Sequence, residues 1–130
     1  MATRKRVVVE AAGRRRSPEL VSVKAIVLPD EDPDTSYLDQ DEFEDRKEAF
    51  ARGDFSFVGI RAEAEIVVDG ITQTIVSGGL LGIESDIGDE HIKEVACEEY
   101  TDLRRILKTL GVPTSELPAE LEHSQIEWRV

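Results

Sequence analysis

Residues 55–76 read FSFVGIRAEAEIVVDGITQTIV, and this stretch decides the fold. Every second residue from Val58 to Val68 is apolar, which predicts a long strand with one face in the core. The residues between them change from aromatic to charged along the strand, so we expect the far half of the other face to contact water. Asp69-Gly70 favours a two-residue hairpin turn. The stretch therefore predicts an antiparallel hairpin at the centre of a sheet.

The return strand and a long helix follow the hairpin. The return strand is predicted from Ile71 to Ile83, and the adjacent glycines within it indicate a bulge or a close backbone approach. Residues 88–110 then carry apolar side chains at the spacing of one helix face: Ile92, Val95, Ala96, Tyr100, Leu103, Ile106, Leu107 and Leu110. We expect Ser85 or Asp86 to cap the start of this helix.

Shorter elements complete the predicted fold. The sequence favours a strand at Leu20–Leu28, a short helix at Asp41–Ala51 and a last strand at 125–130. Residues 1–19 are predicted to form a basic flexible arm, which leaves 20–130 as a single domain. The prediction is an α+β fold of two layers, in which one long helix packs on an antiparallel sheet, with a short helix beside it.

Charge is the strongest feature of the composition. The chain has 130 residues, of which 28 are acidic and 16 basic, and its net charge is -12. Residues 1–16 contain six basic residues and one acidic residue, so the acidic excess lies in the rest of the chain. Such a body repels nucleic acid and attracts basic surfaces, although solubility alone is the simpler explanation. The single cysteine, Cys97, and the lack of about 18 consecutive apolar residues predict a cytoplasmic protein without a membrane span.

An acidic loop between Pro29 and Gln40 is the first candidate site. Its candidate partner-binding residues are Asp30, Glu31, Asp32 and Asp34. The spacing of its aspartates partly matches a calcium-binding loop. Thr35 occupies the position where such loops need glycine, however, and Pro33 stiffens the turn. We therefore interpret the loop as a solvated charge run or a partner surface, and expect no cofactor there.

Glu84 and Asp86 are two further candidate partner-binding residues and form the second candidate site, where a strand meets the long helix. A carboxylate pair at such a junction is able to perform acid–base chemistry or hold a metal; a helix cap within a charged loop is the simpler interpretation. Catalysis by Ser85 would need a positioned histidine, and His91 is expected to face water. Tyr37 and Trp128 are candidate interface anchors or core-sealing residues.

Two stretches carry a family resemblance. Residues 53–64 read GDFSFVGIRAEA, and residues 77–86 read SGGLLGIESD before an acidic helix. They resemble an uncharacterised family of small acidic proteins from bacterial genomes, phages and mobile elements with an SGGL(W/L)GIESD motif, in which tryptophan often stands at the position of Leu81. The resemblance covers roughly residues 54–111. It implies no activity, because no chemistry is established for that family.

Together these observations favour a binding protein over an enzyme. The main hypothesis is an acidic interaction protein that binds a basic protein surface, and its sharpest form is a nucleic-acid-mimicking inhibitor from a mobile element. The first alternative is a carboxylate-based metal site or enzyme that uses Glu84 and Asp86. The second is nucleic-acid binding through the basic arm, which the acidic body disfavours. The sequence predicts neither the identity of the partner nor the oligomeric state.

Overall fold

A computed structural model describes residues 18–130 and has an α+β fold, as predicted. The arm predicted at 1–19 lies outside the described residues except for its last two, and Glu19 already belongs to the first strand. The strands and helices are β1 (Glu19–Pro29), α1 (Glu44–Ala51), β2 (Phe57–Val68), β3 (Ile71–Val76), β4 (Leu80–Glu84), α2 (Asp89–Thr109) and β5 (Ile126–Trp128). Short 3-10 turns lie at Ser36–Asp39, Asp41–Phe43 and His123–Gln125.

The described strands form one sheet in the order β3-β2-β1-β5, and β4 pairs with the first part of β2. The predicted hairpin is present, with Val68 opposite Ile71. The sheet is antiparallel except at β5, which runs parallel to β1, with Ala25 opposite Ile126. The reason is the path of the chain after α2. That segment runs back along the helix, so β5 enters the sheet in the same direction as β1.

The predicted return strand is broken into β3 and β4 by Ser77, Gly78 and Gly79. Gly79 has φ 84°, a left-handed conformation that glycine adopts without the steric cost of a side chain. The pairing of β4 with β2 also shifts register between Val58 and Ile60. The two adjacent glycines thus mark an irregularity in the sheet edge, as the sequence indicated.

The main core lies between α2 and one face of the sheet. Tyr100, Leu103 and Leu107 are fully buried against the alternating residues of β2, including Ile60 and Ala62. Leu110 was predicted on this face but is 51% exposed, because the helix ends at Thr109 and the chain turns away. Among the described residues, no helix combines the length and apolar composition needed to cross a membrane.

The predicted cap of the long helix is wrong. Gly88 holds the N-cap position, with φ 103° and no side-chain capping hydrogen bond. Ser85 instead pairs with Ser56: its hydroxyl accepts from the Ser56 N–H at 2.9 Å, and its own N–H donates to the Ser56 carbonyl at 2.8 Å. Asp86 bonds to Arg46. Both residues tie β4 to neighbouring elements, so neither is available to the helix.

Residues 36–57 build a second, smaller core on the other face of the sheet. Phe57 alternates with Val58 along β2, and the two side chains therefore enter opposite cores. The second core buries Leu38, Ala49, Phe55 and Phe57 and includes the partly buried Tyr37, Phe43 and Phe50. The five aromatic rings pack in edge-to-face and tilted contacts, with centroids between 5.2 and 6.4 Å apart. This cluster fixes α1 and the acidic loop to one end of the sheet.

Candidate functional site

Arg46 connects the two carboxylates that the sequence singled out. From α1, its Nε and Nη2 donate to Glu84 Oε1 at 3.1 and 2.6 Å. Nη2 and Nη1 also donate to Asp86 Oδ1 and Oδ2, at 2.7 and 3.1 Å. The Tyr37 hydroxyl donates to the other oxygen of Glu84. We call this group of four side chains the Arg46 bridge.

The neighbours of the Arg46 bridge favour the charged forms of Arg46 and Asp86 and the neutral form of Tyr37. The guanidinium carbon lies 4.0 Å from the centroid of the Phe55 ring, a cation–π contact. Hydrogen bonding to Arg46 holds the pKa of Asp86 below its usual value, and the two carboxylates raise the pKa of Arg46. Burial, followed by the hydrogen bond to Glu84, raises the pKa of Tyr37 to about 12. At neutral pH Arg46 and Asp86 are therefore charged, and the Tyr37 phenol is neutral.

This geometry limits the chemistry of the carboxylate pair. Each carboxylate already receives two hydrogen bonds from Arg46, so a metal ion would have to displace the guanidinium. Within residues 18–130, no group of three or more His, Cys, Asp or Glu side chains is placed to hold a metal ion. The Ser85 hydroxyl accepts a backbone hydrogen bond and has no histidine beside it. The arrangement is that of a structural link between α1 and the end of β4.

The acidic loop divides into held and free carboxylates. Asp30 accepts from the N–H groups of Asp32 and Gly82, at 3.2 and 2.9 Å, and so ties the loop to β4. Asp34 accepts from the Ser36 N–H and hydroxyl, at 3.0 and 2.7 Å, and these bonds lower its pKa. The side chains of Glu31 and Asp32 are exposed and have no such role. Only two of the four predicted loop residues are therefore free for a partner.

The free carboxylates continue from the loop into α1. Residues 30–54, which we call the acidic lobe, contain eleven acidic and three basic residues. All three basic side chains are paired within the chain: Arg46 in its bridge, Lys47 with Asp39 at 2.8 Å and Arg52 with Asp54 at 2.8 Å. Within residues 18–130, six exposed carboxylates of the lobe have no hydrogen-bond, ion-pair or other electrostatic partner, whereas Glu44 interacts electrostatically with Lys47. The six are Glu31, Asp32, Asp41, Glu42, Asp45 and Glu48.

The sequence did not reveal Arg46 as the partner of Glu84 and Asp86, because that contact depends on how α1 docks. It also missed Glu99, which is 8% exposed on the buried face of α2. Glu99 Oε1 accepts from the Ser77 hydroxyl and the Gly79 N–H, both at 2.7 Å. The available signal was position: Glu99 lies seven residues after Ile92, within the apolar stripe of the helix. Its carboxylate accepts the backbone hydrogen bond of Gly79, at the break between β3 and β4.

The two candidate anchors are placed differently. Tyr37 is half-buried in the aromatic cluster and bonded to Glu84, so it belongs to the interior of the acidic lobe. Trp128 lies on β5 and is 45% exposed. Trp128 lines a shallow cavity together with His123 and Ile126.

Comparison with known proteins adds no further assignment. No protein-family model matches this chain, and none of the curated proteins or solved structures compared with it matches either.

Proposed function

We propose that this protein binds a basic partner, a protein surface rich in lysine and arginine, through its acidic lobe. The observation that carries the proposal is the pairing pattern of the lobe. Every basic side chain there is already paired within the chain, whereas six exposed carboxylates have no partner among residues 18–130. The negative charge of the lobe is therefore available to another molecule.

The anchoring of the lobe supports a binding role. Carboxylates on a mobile loop lose conformational entropy when a partner orders them, which weakens binding. Here the aromatic cluster and the Arg46 bridge hold the backbone that carries the free carboxylates. A preorganised array of this kind attracts a basic surface at long range and increases the rate of association.

The sharper form of the proposal is mimicry of a nucleic acid. Carboxylates spread over a loop and a short helix would imitate the charge of a phosphate backbone, and the partner would be a nucleic-acid-binding protein. The resemblance to proteins of phages and mobile elements motivates this form.

We also propose a cytoplasmic location, on the basis of the single cysteine, which is typical of proteins from a reducing compartment.

The alternatives have less support. A metal or acid–base site at Glu84 and Asp86 would compete with Arg46, which bonds to both carboxylates. Nucleic-acid binding through the arm would rest on residues 1–17, which lie outside the described part of the chain. The acidic lobe is the candidate surface for which the described residues supply both charge and anchoring.

The test compares two variants with equal changes in charge. The lobe variant carries Glu31→Gln, Asp32→Asn, Glu42→Gln and Glu48→Gln. The control variant carries Glu94→Gln, Glu98→Gln, Glu116→Gln and Glu120→Gln, which are exposed residues of α2 and the segment after it. Binding of a fluorescent lysine-rich peptide is measured by anisotropy at low salt and at about 0.15 M ionic strength, where long-range attraction is largely screened.

We expect the lobe variant to bind the peptide more weakly than the control variant at both ionic strengths. Its association rate should fall more than its dissociation rate rises, because exposed charges mainly steer the encounter. Equal binding by the two variants would mean that peptide binding depends on the total charge of the protein and not on the acidic lobe, and the proposal would fail. Circular dichroism of both variants checks that folding is intact.

A further inference from the structure

The longest uncharged stretch of the sequence forms the edge of the sheet at β3 and β4. Residues 70–83 contain no charged side chain, although charged residues make up 34% of the chain. β3 and β4 lie end to end along the same side of β2, opposite residues 63–68 and 57–60. Four of their aliphatic side chains are exposed by 43–69%: Ile71, Val76, Leu80 and Leu81. This edge therefore presents neutral backbone and apolar side chains to its surroundings.

The other edge of the sheet is protected by charge. There, Glu127 on β5 bonds to Lys24 at 3.0 Å and also pairs with Arg129. Charges, prolines and bulges are the usual means by which sheets prevent edge-to-edge pairing. None of the six residues of β3 is charged or proline, and none of the described strands pairs with the outer side of β3. The β5 edge therefore carries charges that oppose pairing with another sheet, whereas β3 carries none.

The outward backbone groups of β3 can be assigned from one hydrogen bond. The Ser77 N–H donates to the Ala62 carbonyl at 2.9 Å, so the odd-numbered residues of β3 bond to β2. The N–H and C=O groups of Thr72 and Thr74 consequently point away from the sheet. On one strand these four groups are sufficient for two antiparallel hydrogen-bonded residue pairs.

We propose that a second copy of this chain pairs with β3 in antiparallel orientation, across a twofold axis at Gln73. In this register Ile71 faces Ile75 of the second copy, Thr72 faces its Thr74, and the two Gln73 side chains face each other. Each cross-strand pair then joins side chains of the same chemistry, an arrangement that stabilises sheets. Thr72 and Thr74 exchange four backbone hydrogen bonds with the second copy, two on each side of the axis. The sheet becomes continuous through both copies.

Charge favours a second copy over a basic segment as the occupant. Two copies that each carry a net charge of -12 repel, and they approach with the least repulsion where neither is charged. A basic segment would find no carboxylate on β3 itself, since Glu63 and Glu65, opposite Val76 and Thr74, lie on β2 and one strand further from the edge. A single strand pair buries less area than a standard interface of about 1,600 Å², so we expect a weak dimer that forms at high protein concentration.

Sedimentation equilibrium of the full chain over a concentration series tests the dimer. Thr74→Pro removes two of the four hydrogen bonds between copies and leaves the bonds to β2, so dimerisation should weaken about tenfold. Gln73→Lys places two ammonium groups opposite each other and should also weaken it, while Gln40→Lys makes the same charge change on a distant exposed loop and should not. A wild-type chain that stays monomeric up to millimolar concentration, or equal weakening by both lysines, overturns the proposal.

Cysteine cross-linking tests the register in a Cys97→Ser background. Opposed Gln73→Cys residues would have Cα atoms about 4.5 Å apart, within reach of a disulfide. Thr72→Cys residues would be offset by two positions and roughly 8 Å apart, too far to bridge. We expect rapid cross-linking at 73 and little at 72; equal rates, or none at 73, overturn the register. If the full chain stays monomeric and dimerises only once residues 1–17 have been removed, its own N-terminal segment covers the edge. That result also overturns the proposal.

Discussion

Arg46 and Glu84 are joined by two hydrogen bonds, since Nε and Nη2 both donate to Glu84 Oε1, at 3.1 and 2.6 Å. One residue lies on a short helix and the other at the end of a strand, so this contact links the two cores of the protein. The link does not rest on charge alone, because Phe55 lies under the guanidinium and Tyr37 bonds to the far oxygen of Glu84.

We expect Arg46→Ala to lower the urea midpoint of unfolding, because among the described residues it leaves the half-buried Glu84 bonded to the Tyr37 side chain alone. The matched control is Arg52→Ala, which removes an exposed arginine whose pair with Asp54 lies in the same lobe. Exposed ion pairs contribute little to stability, so the control should change the midpoint much less. Equal midpoints for the two variants would show that the Arg46 bridge is not structural.

Ser77→Ala should destabilise the protein by about 1–3 kcal/mol, because it leaves a buried donor without its partner. The Ser77 hydroxyl accepts from the Ala62 N–H at 2.9 Å and donates to Glu99 at 2.7 Å. Ser36→Ala also removes a hydroxyl that donates to a carboxylate, but an exposed one, and should cost less. Urea denaturation measures both, and a neutral Ser77→Ala would mean that water replaces the hydroxyl.

Leu103→Ala should cost about 2–5 kcal/mol through lost burial and the cavity that remains. Leu103 is fully buried on α2, whereas Leu110 just beyond the helix is 51% exposed. Leu110→Ala makes the same chemical change and should cost less than about 1 kcal/mol, as exposed substitutions usually do. Thermal and urea unfolding of the two variants measure the difference. Similar losses would contradict the position of the helix on the sheet.

Tyr37 should ionise near pH 12, above its ordinary pKa of about 10. Its pKa is raised on folding, so its contribution to stability is complete below about pH 10 and is lost as the pH rises towards 12. The difference in tyrosinate absorbance between the wild type and Tyr37→Phe isolates this residue from Tyr100. Glu84→Gln should lower the pKa of Tyr37 but leave it above 10, because burial is the larger cause. A midpoint at 10 in the wild type would contradict the buried, bonded phenol.

The sequence predicted the parts of the fold that depend on local pattern. The alternation along β2, the Asp69-Gly70 turn and the apolar stripe of α2 each favour a single local structure. Each of these predictions is confirmed. The direction of β5 was not predictable in this way. It follows from contacts between α2 and the returning chain, such as the Tyr100 hydroxyl that donates to the Pro118 carbonyl at 2.6 Å. Those contacts leave no periodic signal in the sequence.

The candidate site shows the same limit. The sequence identified Glu84 and Asp86 as a pair at a strand–helix junction, but their partner is separated from them by 38 residues or more. Asp30 and Asp34 looked equivalent to Glu31 and Asp32 as loop acids. The structure separates them, because the first two accept backbone hydrogen bonds and the other two do not. Composition identifies an acidic surface, and only the fold shows which of its carboxylates are free.

The pairing of β5 with β1 has a consequence for biosynthesis. Ala25 lies opposite Ile126, so β1 obtains its outer neighbour only after about a hundred further residues have been made. At ribosomal rates of about 5–20 residues per second, that interval is roughly 5–20 s. α2 and the hairpin are complete earlier, so β1 is able to pair with β2 before β5 is made. Until then, residues 25–27, which are fully buried in the finished protein, lack the described strand that pairs with them.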